Sequence, residues 1–337
     1  NGDVTEYYVY VDGEYHFDSA NYNADSIITV KKPEIITGVL YKQEEGVPAC
    51  GYVNSVGHAL IKEVELEIGG QRIDKHYADW LEIWSELSMP AEKRDGYKVM
   101  VGKYDANTNV FGNESNTASK KLYIPLMFFF NRNPGLALPL IALQYHEVKI
   151  NIQFGSLKDC TYSTTDSQVS TWTSEQVVET EENLKASLYV DYVYLDTDER
   201  RRYAQVSHEM LIEQLQFTGD ESIETGPNKV RLNFNHPVKE LVWVVKSSPV
   251  NEDDRNPFSY GLFNGDNTRG DFIDDTNVWA APINNAKLML NGHDRFNERD
   301  ESYFRLVQPY QHHTCVPKKP IYCYSFALNP EEHQPSG

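Results

Sequence analysis

The chain repeats one pair of motifs, in the same order, in its two halves. Residues 66–73 are an apolar run broken by Gly-Gly, and residues 120–134 run from a Lys pair through aromatic residues to Asn-Pro. Residues 288–296 and 318–330 repeat these features, with a shorter loop between them. Repeats that keep their order while a loop changes length predict two related domains in tandem.

Size and charge narrow the classes of protein to which the chain can belong. Its 337 residues suffice for two domains of ordinary size. A formal net charge of −19 argues against a nucleic-acid groove, which needs clustered Lys and Arg. No run of about 18 apolar residues occurs, so no transmembrane segment is predicted. The four Cys lack a regular spacing, which indicates reduced and mostly buried thiols.

Strand patterns dominate the chain. Residues 58–68 and 147–154 alternate between apolar and polar side chains, and Gly69-Gly70 supplies a hairpin turn. Further strands are predicted at residues 4–11, 184–195, 229–234, 240–245, 287–290, 304–307 and 321–328. Many short strands separated by turn residues predict an all-β protein built of sandwiches.

Helix patterns are few, and long polar loops separate several of the strands. Residues 74–87 carry apolar side chains at helical spacing, and residues 198–216 form a second, weaker candidate at the midpoint. The long loops cover residues 91–119, 158–182 and 249–277. Loops of this length commonly serve function or interfaces.

No enzymatic site is predicted. Serine-hydrolase, zinc-protease, P-loop and dinucleotide-binding motifs are all absent from the sequence. His312, His313, Cys315 and Cys323 lie close together in sequence, but their spacing matches no zinc motif. We therefore predict no catalytic residue, no metal and no cofactor.

Three surface features leave alternatives open. Asn113 begins an N-x-S sequon in a loop expected to be exposed, which makes it the candidate glycosylation residue. Trp172 and the abundant carboxylates are compatible with a carbohydrate-binding or glycoside-hydrolysing β-sandwich. The triplet Arg269-Gly270-Asp271 is compatible with a receptor-binding surface protein.

Several stretches resemble one known family. Residues 192–205 read YVYLDTDERRRYAQ, residues 136–148 read LALPLIALQYHEV, and residues 325–330 read SFALNP. They resemble the major capsid proteins of nucleocytoplasmic large DNA viruses, in particular those of the mimivirus and algal-virus branches. The likeness extends over nearly the whole chain.

The resemblance implies a double jelly roll, in which two eight-stranded sandwiches stand side by side. Residues 1–195 would form the first jelly roll without its N-terminal strands, and residues 196–216 the connector. Residues 217–337 would form the second jelly roll without its C-terminal strands. Few and short helices are expected.

The same resemblance implies a structural rather than an enzymatic function. Three chains would form a homotrimeric, pseudo-hexagonal capsomer of an icosahedral shell. Neighbouring capsomers and minor capsid or cement proteins would be the partners, without direct contact to nucleic acid. The expected location is the virion capsid, assembled in the host cytoplasm. The alternative remains the carbohydrate-binding or glycoside-hydrolysing β-sandwich.

Overall fold

The computed structural model describes residues 49–103, 121–165, 168–170, 184–246, 257–261 and 281–333. The predicted strand at residues 4–11 and most of the loop at residues 249–277 lie outside this part of the chain.

The elements follow one another in two groups. The first group is β1 (Ala49–Tyr52), α1 (Val56–Leu60), β2 (Ile61–Ile68), β3 (Gln71–Tyr77), α2 (Ala78–Ser88), α3 (Ala91–Val101), α4 (Phe129–Arg132), a 3₁₀ turn (Pro134–Leu136), β4 (Val148–Phe154), α5 (Leu157–Cys160), β5 (Thr161–Thr165), β6 (Gln168–Ser170) and α6 (Thr197–Gln205). The second is β7 (Glu240–Trp243), β8 (Asn285–Ala286), β9 (Met289–Leu290), β10 (His293–Asp294), β11 (Arg299–Asp300), a π-helical turn (Tyr303–Val307), α7 (Gln308–His312) and β12 (Tyr322–Ser325).

Antiparallel strand pairs form the framework of the described residues. The sheet β3-β2-β4 places Leu66 opposite both Asp74 and Ile150. A second three-stranded sheet has the order β1-β5-β6, and β12 pairs with β7. Short ladders join β9 to β10 and β8 to β11. Helices of at most eleven residues pack among these strands in the described part of the chain.

The turn shared by the two sequence repeats is present in both halves. Gly69 and Gly70 join β2 to β3 with φ values of 59° and 80°. Asn291 and Gly292 join β9 to β10 with φ values of 51° and 82°. Two consecutive left-handed residues suit the twist of a two-residue hairpin, and Gly and Asn tolerate that conformation best. The predicted correspondence of the two hairpins is therefore confirmed.

Several predicted boundaries were wrong in the first half. The strand expected at residues 58–68 begins only at Ile61, because Val56–Leu60 form α1. The helix expected at residues 74–87 begins only at Ala78, because Asp74 and His76 pair with β2 as part of β3. The loop expected from residue 91 is α3 as far as Val101. Tyr97 and Val101 give this helix a buried face, and Gly102 ends it with a φ of 71°.

Other segments also differ from the predicted elements. The helix expected at residues 198–216 ends at Gln205, and residues 206–216 form no regular element. Residues 184–195 and 229–234 form no assigned strand, whereas the loop expected at residues 158–182 contains β5 and β6. The strand expected at residues 304–307 was wrong. These residues belong to the π-helical turn, which continues directly into α7.

Two apolar clusters form the core of the described residues. One contains Val53, Val56, Ala59, Ile83, Leu87, Cys160, Phe258, Tyr260 and Ile321. The other contains Ile61, Val64, Leu66, Leu81, Phe128, Phe129, Ile152 and Phe154. Helix α2 supplies Leu81 to one cluster and Ile83 and Leu87 to the other, so it lies between them. Within the described residues, no helix has the length and apolar character needed to cross a membrane.

Two helical glycines provide a matched test of this packing. A Cβ added at Gly57 in α1 would lie 2.9 Å from the backbone oxygen of Val101, whereas one at Gly96 in α3 meets nothing within 4 Å. Gly57→Ala is expected to destabilise the protein by about 1–3 kcal/mol through overpacking. Gly96→Ala is expected to stabilise it by about 0.5–1 kcal/mol, because alanine favours the helix. Urea unfolding of both variants measures the change in the free energy of unfolding. Equal changes in the two variants would refute the contact of α1 with α3.

Candidate functional site

Helix α2 presents three carboxylates to residues from distant parts of the chain. Asp79, Glu82 and Glu86 are spaced by three and four residues, so they lie on one face of the helix. Ile83 and Leu87 lie on another face, in the apolar core. Glu82 and Glu86 therefore lie beside the core, whereas the side chain of Asp79 is 41% exposed.

Glu82 is fully buried at the centre of this face. Its Oε1 accepts hydrogen bonds from Lys103 Nζ at 2.8 Å and from Lys319 Nζ at 2.7 Å. Its Oε2 lies 2.7 Å from Nδ1 of His58, and the other ring nitrogen of His58 lies 2.9 Å from the hydroxyl of Tyr97. A carboxylate only accepts hydrogen bonds, so Nδ1 of His58 carries the hydrogen. Lys103 also binds Glu86.

The surrounding cations decide the ionisation of this cluster. Burial alone would raise the pKa of Glu82, but Lys103, Lys319 and the bond to His58 hold that pKa well below its usual value. Burial likewise tends to lower the pKa of Lys103, yet Glu82 and Glu86 together raise it. Burial does lower the pKa of Lys319, because it outweighs the attraction of Glu82. The buried carboxylate is thus kept charged by two cations.

Further contacts join residues of the second half to the same face of α2. The Lys319 ammonium lies 5.8 Å from the ring centre of Phe258 and 5.7 Å from that of Tyr260. The hydroxyl of Tyr260 donates to Asp79 Oδ1 at 3.0 Å, and Lys246 Nζ lies 2.7 Å from the same oxygen. The backbone N–H of Cys315 donates to the Leu87 carbonyl at 2.9 Å, near the end of the helix.

The segment after α6 is also fixed between the two halves. Glu213 accepts from Arg132 Nη1 at 3.3 Å and from Lys239 Nζ at 2.5 Å. The backbone N–H of Leu215 donates to the buried Asp74 carboxylate at 2.9 Å. Although residues 206–216 have no regular secondary structure, these bonds hold their last part against β3.

The arrangement is suited to cross-linking the chain. We call this group the α2 junction; it comprises Asp79, Glu82 and Glu86 with Lys103, Lys246 and Lys319. Each of the three carboxylates forms an ion pair with at least one of the lysines. Its contacts connect residues as far as 237 positions apart in sequence. It resembles a structural ion-pair network rather than a catalytic group poised for a substrate.

The structure assembles only part of the histidine and cysteine group seen in the sequence. His313 and Cys323 lie together with Glu240, and their ligand atoms are within 4.8 Å of one another. Cys315 instead lies beside Arg94, and His312 Nδ1 lies 2.9 Å from the Leu328 carbonyl. Among the described residues, Glu240, His313 and Cys323 form the group whose ligand atoms lie close enough together to hold a metal ion.

The other residues singled out in the sequence lie outside the described residues. They are Asn113, Trp172 and the triplet at 269–271. The α2 junction was not predicted from the sequence. The spacing of Asp79, Glu82 and Glu86 within an apolar helix was visible, but their partners are separated from α2 in sequence.

The Glu82 cluster makes stability depend on pH in a defined direction. Since the pKa of Glu82 is depressed in the folded chain, its contribution is complete above the ordinary value of about 4.5 and is lost as pH falls toward the folded-state pKa. Glu82→Gln leaves Lys103 and Lys319 without their shared charge, which should cost about 3–5 kcal/mol at neutral pH.

Urea midpoints between about pH 7 and pH 3 measure this effect, and the slope should be flatter in Glu82→Gln. Glu92→Gln, which changes an exposed glutamate at the start of α3, is the matched control and should behave as the wild type. A Glu82→Gln variant as stable as this control would show that the cluster contributes nothing to folding.

Two family models match the chain in succession, and known proteins match it over most of its length. Residues 26–196 match the family model described as "Major capsid protein N-terminus", and residues 199–337 match "Large eukaryotic DNA virus major capsid protein". The major capsid protein of Pyramimonas orientalis virus is 50% identical over 316 residues, which cover 87% of this chain and 69% of that protein. The corresponding protein of Paramecium bursaria Chlorella virus 1 is 42% identical, covering 82% of this chain and 63% of that protein.

Solved structures give the same result. The PBCV-1 virus capsid structure matches with a TM-score of 0.64 and 38% identity, covering 90% of this chain and 71% of the matched one. The Faustovirus major capsid protein matches in fold at a TM-score of 0.56 and 12% identity, covering 99% of this chain and 77% of the matched one. The resemblance seen in the sequence is thereby confirmed, and the chain belongs to the major capsid protein family of large eukaryotic DNA viruses.

Proposed function

We propose that the chain is the shell-forming subunit of an icosahedral virus and works as a homotrimeric, pseudo-hexagonal capsomer. In this proposal each chain carries two related jelly rolls, so three chains present six similar corners and tile a hexagonal lattice. The observation that carries the proposal is the α2 junction, where residues of both halves close on one buried carboxylate. A regular lattice needs a fixed angle between the two jelly rolls of each chain.

The boundaries of the two jelly rolls follow from the same proposal. The first covers residues 1–195, the connector residues 196–216, and the second residues 217–337. Asp196 supports this division, because its side chain accepts from the backbone N–H of Asp198 and Glu199 and caps α6. The two family models also meet between residues 196 and 199. The repeated two-residue hairpins, one in each half, support the relation between the two jelly rolls.

The partners in this proposal are other copies of the chain, neighbouring capsomers and minor capsid or cement proteins. The charge of −19 suits a surface that faces solvent and disfavours direct contact with packaged nucleic acid. The location is the virion capsid, after assembly in the host cytoplasm.

The test is the solution mass of the protein expressed from its complete reading frame, by light scattering coupled to size exclusion. A stable particle of about three times the subunit mass is expected over a wide range of protein concentrations. A monomer that gains thermal stability with an oligosaccharide would contradict the proposal and favour the carbohydrate-binding β-sandwich.

Asn113 is proposed to carry a glycan on the outer surface. Peptide mass spectrometry of protein from infected cells should show an added hexose-containing mass on the peptide with Asn113, and none in Asn113→Gln. Asn107, an asparagine in the same loop outside any sequon, is the matched control and should be unmodified. An unmodified Asn113 peptide in purified virions would contradict this assignment.

A further inference from the structure

The ladder between β7 and β12 brings a carboxylate and a thiol to one face. Cys323 is opposite Val242, and Ser325 is opposite Glu240. Directly opposed residues share a face, and so do residues two apart on one strand. Glu240 and Cys323 are therefore diagonal neighbours on the same side of the ladder.

A fixed imidazole lies over this face. The side chain of His313 is fully buried, and its Nε2 lies 2.5 Å from Glu240 Oε1. Its Nδ1 lies 2.9 Å from Glu331 Oε1. Glu331 is itself held by the backbone N–H of Thr314 at 2.9 Å and by the hydroxyl of the same residue. Glu240 and Glu331 thus fix the orientation of the His313 ring in the metal-free chain.

The donor set and its geometry match those of a known class of metal site. The ligand atoms of Glu240, His313 and Cys323 lie within 4.8 Å of one another. Zinc ligands at bond lengths of about 2.0–2.3 Å lie roughly 3.3–3.8 Å apart in a tetrahedron, so side-chain shifts of about 1 Å suffice. Thiolate, imidazole and carboxylate together favour zinc over magnesium or calcium.

Glu331 supplies the hydrogen-bond acceptor that a metal-bound histidine usually has at its other ring nitrogen. A metal-bound imidazole commonly donates its other ring N–H to a carboxylate, which fixes the tautomer and the ring plane. In the chain as described, both ring nitrogens lie on carboxylate oxygens, so each carries a hydrogen. A zinc ion at Nε2 displaces one proton to solvent and leaves the bond to Glu331 intact, and the Cys323 thiol releases its own proton when it binds as a thiolate.

We propose that Glu240, His313 and Cys323 form a zinc-binding site, with Glu331 orienting His313 as an outer-shell residue. The ion joins the sheet β7-β12 to the residues that follow α7, and a water molecule completes the tetrahedron. This role is structural, and it is independent of the proposed trimer. The first ligand lies 73 residues before His313, which explains why no zinc motif is visible in the sequence.

Cobalt titration of the whole, metal-free chain tests the site. One equivalent of Co²⁺ should produce the near-ultraviolet absorption of a cobalt–thiolate bond and the visible bands of tetrahedral Co²⁺, and Zn²⁺ should remove both. Cys323→Ser should lose the thiolate absorption. Cys315→Ser, which changes a cysteine eight residues away in the sequence, is the matched control and should retain it. A folded wild type without that absorption, or a band that persists in Cys323→Ser, would overturn the proposal.

A second variant keeps the test valid where Cys323→Ser fails to fold. Glu240→Gln preserves the size of the side chain but removes an anionic ligand, so Zn²⁺ binding should weaken by at least the roughly 10–100-fold typical of an outer-shell change, while the cobalt–thiolate band remains. Isothermal titration with Zn²⁺ measures this loss, and Mg²⁺ serves as the control ion that should not bind. Equal Zn²⁺ affinity in the wild type and in Glu240→Gln would place the ion elsewhere.

Discussion

The constraint on which the described structure depends is the buried carboxylate of Glu82. A charge removed from water is tolerated only when opposite charges and hydrogen bonds replace its hydration. Glu82 obtains them from Lys103 in the first half of the chain and from Lys319 in the second. Neither half alone supplies both cations. Closing this part of the core therefore requires that the two halves come together in one arrangement.

This requirement explains how one helix can fix the relation of two halves. Apolar contacts alone tolerate sliding, since they have no preferred direction. The contacts on the polar face of α2 are directional: Tyr260 donates to Asp79, and the N–H of Cys315 donates to the Leu87 carbonyl. A rotation of one half against the other would leave these groups unpaired in the interior. A shell subunit benefits from such rigidity because the angle between its two halves is repeated at every position of the lattice.

The sequence predicted what local patterns encode and missed what distant residues decide. The hairpin at Gly69-Gly70 and the strand Val148–Phe154 were predictable, because turn chemistry and alternation are local signals. The start of α2 was placed too early, since pairing with β2 overrides the helical spacing at residues 74–77. The family resemblance gave the class of protein. Glu82 was not identified as a site, because the position of Lys319 depends on how the whole chain folds.

Helix α2 also connects the Glu82 cluster to the buried polar cluster around His313. Trp84 stacks against the guanidinium of Arg132 at 4.4 Å, and its ring lies edge-on to His313 at 6.4 Å. One side of α2 therefore reaches the Glu82 cluster and another reaches His313 between Glu240 and Glu331. Close packing transmits small displacements along such a chain of contacts. An ion held by His313 would thus stiffen the same helix that Glu82 fixes, so both clusters would act on one angle between the halves.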